Sequence, residues 1–200
     1  PGFPFITSGI DLAKLDMRSG LERLTYAIII ITVATMTAWI MALVLKLQPV
    51  DFLTLNLQVP VQILFRLAAS FCGVFGFSVM FNSPRKLAAT AGCIGAVANT
   101  LRLEMVDLAN MPPAAAAFIG ALVAGILASM IKNVAGFPRI SVTVPSIPGL
   151  YLYRAIYNLG IMSLHTSAEW FAAAFMIILA LPLGLIFARI LTDKTFRYCT

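Results

Sequence analysis

The sequence predicts an all-α integral membrane protein, built as a bundle of about six transmembrane helical segments, one of them broken by a Pro/Gly-rich non-helical stretch. Three observations carry that prediction. Of 200 residues, 60% are apolar and 11% charged, with a mean hydropathy of +0.95. A soluble domain carries about 25% charged residues, because polar surface must cover its core. Apolar runs long enough to cross a hydrocarbon core about 30 Å thick recur along the chain. The basic residues stand at the ends of those runs and not on one patch, so the net charge of +6 reads as a topology signal and not as a nucleic-acid footprint.

The spans follow in order. Residues 24–45 hold no charge, and residues 57–81 form a similar run that carries Arg66. Asn82-Ser83-Pro84-Arg85-Lys86 stops one helix and starts the next, a short run over 87–101 rich in small residues. Met111-Pro112-Pro113 opens a span to Ile131, with proline where its missing N–H costs least. Residues 170–188 form the last long span, with Pro182-Leu183-Gly184 as an expected kink. Four small-residue pairs, Gly73/Gly76, Gly92/Gly95, Gly120/Ala124 and Ala121/Gly125, predict close helix packing.

Residues 136–164 are the irregular part. Three prolines interrupt 137–148, so no continuous helix is expected there, and Ile140 to Val144 favours extended backbone. Such backbone cannot face lipid and must be shielded by protein or line a wet cavity. A helix is expected from Pro148 onwards.

Orientation follows from the basic residues. Lys14, Arg18, Arg23, Arg85, Lys86, Lys132, Arg139, Arg189, Lys194 and Arg197 fall on alternate connections, ten in all, against Lys46 and Arg102 on the other side. Both ends are therefore expected in the cytoplasm of a cell (inner) membrane. That needs an even number of crossings, and six fits if the segment after Pro148 crosses. A loop around residues 104–110 is expected outside.

Enzymatic and metal chemistry find no residues here. There is one histidine, His165, and Cys72, Cys93 and Cys199 have no metal-like spacing; Cys72 and Cys93 read as buried thiols packed inside spans. No nucleophile–base pair or phosphate-binding loop is present, so neither a cofactor nor a metal site is expected. The chain opens at Pro1-Gly2 without an initiator methionine, which predicts a piece of a longer polypeptide.

The chain also echoes itself. Pro1-Gly2-Phe3-Pro4 precedes a polar stretch and a span, and Pro145-Ser146-Ile147-Pro148-Gly149 does the same about 144 residues later. A Pro-Gly break in matching positions of two halves is the pattern of a transporter binding site; chance recurrence of a loop motif is the plainer alternative. Residues 75–86, FGFSVMFNSPRK, resemble the second membrane domain of the threonine/serine exporter family. Pro113 to Phe118 with Gly125, Phe137-Pro138, and Val144 to Tyr151 resemble its following span and break, and residues 1–45 resemble the tail of its first domain. Ser146 stands where that family's break has its first glycine, and the break is one residue shorter.

The resemblance implies two homologous five-span domains, fused or encoded separately. On that basis residues 1–46 would be the tail of a preceding membrane domain, and 47–200 a five-span transport domain whose missing partner lies on the same or a separate chain. It also implies export of threonine, serine or related organic acids. Partners are thus the bilayer and a small amino-acid or organic-acid substrate, with self-association open and no nucleic acid. A scaffolding membrane subunit that transports nothing is the competing expectation.

Candidate substrate-binding residues are Arg154, Tyr151, Asn158, Pro145, Ser146, Pro148, Gly149, Asn82 and Arg66. A charge within a span costs at least ~2.5–3.5 kcal/mol and needs a partner or water, so Arg66 and Arg154 read either as carboxylate contacts or as cations that snorkel or bind backbone carbonyls. Tyr151 and Asn158 lie three before and four after Arg154 and share its helix face. The Pro-Gly break offers a helix N-terminus to an anion. Asn82 serves equally as a turn residue, Asn99 as a helix–helix contact, and Glu169 as a proton carrier or a solvated first-turn acid.

Overall fold

The computed structural model describes residues 2–46, 57–135 and 149–192. Seven helices, 88% helix and no strand, make up the described residues. They are α1 (Gly2–Ala13), α2 (Met17–Val44), α3 (Val59–Met80), α4 (Arg85–Asp107), α5 (Pro113–Ala135), α6 (Gly149–Gly160) and α7 (Leu164–Thr192). Four are long and apolar enough to cross a membrane: α2, α3, α5 over Pro113–Ile131, and α7. Their exposed faces carry Ile29, Val33, Leu64, Phe65, Phe175 and Leu183, as lipid-facing surfaces do. The expected count of about six is not reached by these four. α6, with 12 residues, rises only about 18 Å, and α4 ends in charged residues.

Several expectations are corrected. The polar stretch after Pro1-Gly2 is a helix, α1, and α2 starts at Met17, before the charge-free run that begins at residue 24. α4 runs to Asp107, so Glu104 lies in helix and the turn begins later. Cys72 and Cys93 are exposed on their helices and not buried. The non-helical stretch expected over 137–147, including its extended segment, lies outside the described residues.

The chain forms two compact units. One joins Pro1–Leu57 with Ile147–Leu179 and holds two helical hairpins, α1–α2 and α6–α7. These are copies of one another at an offset of 147 residues, not 144: Gly2, Ala13 and Met17 begin or end helices where Gly149, Gly160 and Leu164 do. Leu15 and Met162 both turn left-handed, at φ 63° and 62°. The turn hydrogen bonds repeat atom for atom. Lys14 N donates to Ile10 O as Ile161 N does to Tyr157 O, and Asp16 N donates to Asp11 O as Ser163 N does to Asn158 O. These bonds satisfy carbonyls that a helix C-terminus leaves unpaired.

The two copies run in opposite directions. Within α1–α2, the antiparallel pairing is fixed by an Asp11–Arg23 ion pair at 2.7 Å and by Leu12 over Gly20. Leu152 and Ile178 pack on the buried cluster of Phe5, Ala27 and Ile31, while Trp39 packs on Gly160. α6 therefore runs alongside α2 in the same sense, and antiparallel to α1, its counterpart. Leu152 and Ile178 are the repeat mates of Phe5 and Ile31, so the copies meet through equivalent residues.

The other unit, Gln58–Ser146 with Ala180–Thr200, packs by glycine. A Cβ on Gly95 would lie 2.5 Å from Val74, and one on Gly92 2.9 Å from Phe71, so α3 and α4 touch closely; the Arg66–Glu104, Ser70–Asn99 and Val74–Gly95 contacts make the seam antiparallel. α5 lies on α4 at Gly120, and α7 lies on α5 where Gly184 meets the Phe118 carbonyl and Ala188 meets Gly125. The last two contacts make α5 and α7 run in the same sense. Gly73 and Gly76, expected at an interface, have nothing within 4 Å.

Candidate functional site

α6 opens at Gly149, at the expected break, and presents Tyr151, Arg154 and Asn158 on one face. Antiparallel to it, α7 supplies Trp170. The Arg154 guanidinium lies 4.7 Å from the centre of the Trp170 ring, and the Tyr151 ring sits 5.6 Å from the same indole. A guanidinium over an indole face is held electrostatically, leaving its planar fork of donors free to meet a carboxylate edge-on. Asn158 is used differently from the expectation: its Nδ2 donates to the Arg154 carbonyl at 2.7 Å, so it holds the backbone beneath Arg154. Ser167 Oγ donates to the Ala155 carbonyl at 2.7 Å, locking α7 to α6 one residue beyond Arg154.

The first unit therefore brings Gly149, Tyr151, Arg154 and Asn158 together. Pro145, Ser146 and Pro148 lie outside the described residues. Trp170 is the site residue that sequence reasoning missed, taken there only as the start of a span. Its signal was present in the repeat: position 170 answers Arg23, which reaches from α2 to Asp11 on α1, so an interhelical partner was to be expected at 170 as well.

Arg66 and Asn82 belong to the second unit. Arg66 Nη1 donates to Glu104 Oε1 at 2.8 Å, and its Nη2 donates to Asp107. Two protein carboxylates thus hold the cation that was expected either to grip substrate or to snorkel. Asn82 turns left-handed at φ 57°, its N–H bonded to the Val79 carbonyl, which is the work of a helix-ending turn. Among the described residues the contrast between the two arginines is plain: Arg66 has two carboxylates within ion-pair distance and Arg154 has none. No group of three or more metal-ligating side chains occurs among the described residues.

Comparison with known families completes the picture. A family model described as Threonine/Serine exporter, ThrE, matches residues 66–191, and a second threonine/serine exporter model matches residues 1–46. No curated protein and no solved structure matches the chain.

Proposed function

Because the chain belongs to the threonine/serine exporter family, we propose that it is a secondary transporter, not an enzyme, that exports threonine- or serine-like amino acids or related organic acids and is driven by the proton gradient. The observation that carries this reading is Arg154, stacked on Trp170 beside Tyr151 with no carboxylate partner among the described residues. A partly buried cation without a counter-charge is costly in a membrane, and a substrate carboxylate would supply it. The adjoining N-terminus of α6 adds partial positive charge, and the Tyr151 hydroxyl a partner for a substrate hydroxyl.

The proposed topology places the α1–α2 turn and the C-terminal end in the cytoplasm of the inner membrane, with six crossings from α2 onwards. Three features support it: the ten-to-two basic asymmetry, the shared direction of α2 and α6, and the shared direction of α5 and α7. Two helices that run the same way need a return crossing between them, and α6 stands between α5 and α7 in the chain. Residues 1–46 are then the tail of a first membrane domain and 47–200 the second. The test is flux from proteoliposomes loaded with labelled threonine, serine or a dicarboxylate, with and without an imposed proton gradient. Gradient-dependent flux of one of these supports the reading. Flux no greater than in empty liposomes for all of them sinks it and leaves a scaffolding subunit.

A further inference from the structure

We propose that Glu104, sharing Arg66 with Asp107 at the end of the α3–α4 seam, is the carboxylate that takes up the coupling proton; this rests on the reading of the protein as a proton-driven exporter. The Arg66 and Glu104 side chains are 19% and 16% exposed, and Asp107 is 47% exposed. One guanidinium therefore faces two carboxylates, one open to the surroundings and one nearly closed off. The cluster carries one negative charge more than its arginine offsets.

Among the described residues the neighbours leave that excess in place. α3 contributes no charged side chain except Arg66, and its Cys72 lies six residues further on. Arg102, on α4 itself, points to α5, where it meets Gly120, and its Nε donates to Asn99 Oδ1 at 3.2 Å. α5 bears no ionisable residue from Pro113 to Ile131. The surplus charge can be removed by a proton, which binds one carboxylate oxygen and needs no coordination shell. A sodium ion would need several oxygens, and the guanidinium already occupies the space between the two carboxylates.

A second observation points the same way. One helical turn inward from Glu104 on the same face of α4 lies Thr100, 6% exposed, whose Oγ1 has no hydrogen-bond partner among the described residues. Such a group is costly to bury. Beside it the buried Asn99 Nδ2 donates to Ser70 Oγ at 2.8 Å. Polar groups thus continue from Asp107 through Glu104 to Thr100 into an otherwise apolar seam, and a hydroxyl that both donates and accepts can pass a proton on.

The step balances simply. A proton from hydronium forms an O–H bond on Glu104 and leaves water, the ion pair with Arg66 Nη1 becomes a hydrogen bond from the guanidinium to a neutral carboxyl, Arg66 keeps Asp107, and the cluster becomes neutral. Under the proposed topology this end faces outside, where an inward proton gradient would load it.

Two measurements on the reconstituted full chain test the inference. Infrared difference spectra between alkaline and acid pH read protonation without requiring transport. A carboxyl band that grows in wild type and is lost in Glu104→Gln supports Glu104, while an unchanged band in that variant overturns it. Flux then reads coupling. In Glu104→Gln, substrate flux with and without the gradient should become equal, and flux still accelerated by the gradient refutes the assignment. If Glu104→Gln carries no substrate at all, Glu104→Asp decides: gradient-driven flux with a displaced pH profile supports it, and a wild-type profile or no flux overturns it. Wild-type protein that exchanges substrate yet ignores the gradient removes proton coupling from the proposed function and this inference with it. Wild-type protein that moves no substrate sinks only the transport reading, because the infrared arm still stands.

Discussion

Replacing Arg154 by lysine separates a substrate contact from a cation that merely reaches for the membrane surface. The guanidinium lies 4.7 Å from the Trp170 ring centre, a contact of about 0.5–2 kcal/mol that an ammonium largely keeps. What lysine loses is the planar fork. One charge-assisted hydrogen bond to a carboxylate is worth about 1.5–3 kcal/mol, so losing one of a bidentate pair should lower transport efficiency about 10- to 100-fold, at about 1.4 kcal/mol per tenfold. The Ser167–Ala155 bond and the Asn158–Arg154 backbone bond do not involve the exchanged side chain, so insertion and thermal stability should hold. The assay is initial-rate flux in proteoliposomes with protein content matched between variants, over a range of substrate concentrations. A raised KM at unchanged protein yield is expected. Near-wild-type flux for Arg154→Lys refutes the contact and leaves the helix N-terminus as the anion's only anchor.

Other consequences are open to simpler measurements. Gly184→Ala would set a Cβ 2.5 Å from the Phe118 carbonyl and should destabilise by about 1–3 kcal/mol, read as a lower Tm in detergent. Gly73→Ala and Gly76→Ala meet nothing within 4 Å, so each should raise Tm by relieving up to about 1 kcal/mol of helix penalty; a fall would reveal a partner on that face. Leu15→Gly and Met162→Gly should each stabilise by about 1 kcal/mol, the cost of left-handed backbone in a residue with a side chain, and by similar amounts. A cysteine introduced at Asp107 should react with an impermeant maleimide added outside intact cells; labelling only from the cytoplasm reverses the orientation.

The membrane class and six of the helices were legible, five because lipid imposes long apolar runs whose ends were marked by Pro84, Pro112, Pro113 and clustered charges, and α6 because Pro148-Gly149 marked its start. α1 escaped because its 12 residues are too few for a hydropathy window and its Ser8 and Asp11 make it a polar stretch; the structure buries Ser8 and ties Asp11 to Arg23. The repeat was visible in its Pro-Gly openings but misaligned by three residues, because the prolines and not the turns were matched. In the candidate site, Arg154 stood out by its charge alone. Its placement on Trp170 depends on how α6 and α7 fold back, and the capture of Arg66 depends on α4 running antiparallel to α3. Neither follows from a helical repeat within one segment.

The reversed hairpins differ less in backbone than in what clasps them. Asp11 and Arg23 close the first with an ion pair, while Arg154 and Trp170 close the second with a stacked cation. If transport exchanges the environments of the two copies, the inward- and outward-open forms share nearly the same main-chain energy, and their relative population is set by the difference between these two clasps. A difference of about 1.4 kcal/mol already shifts that population tenfold. A solute that engages Arg154 loads one side of the balance alone, so occupancy of the site would itself bias which face of the membrane the protein opens to.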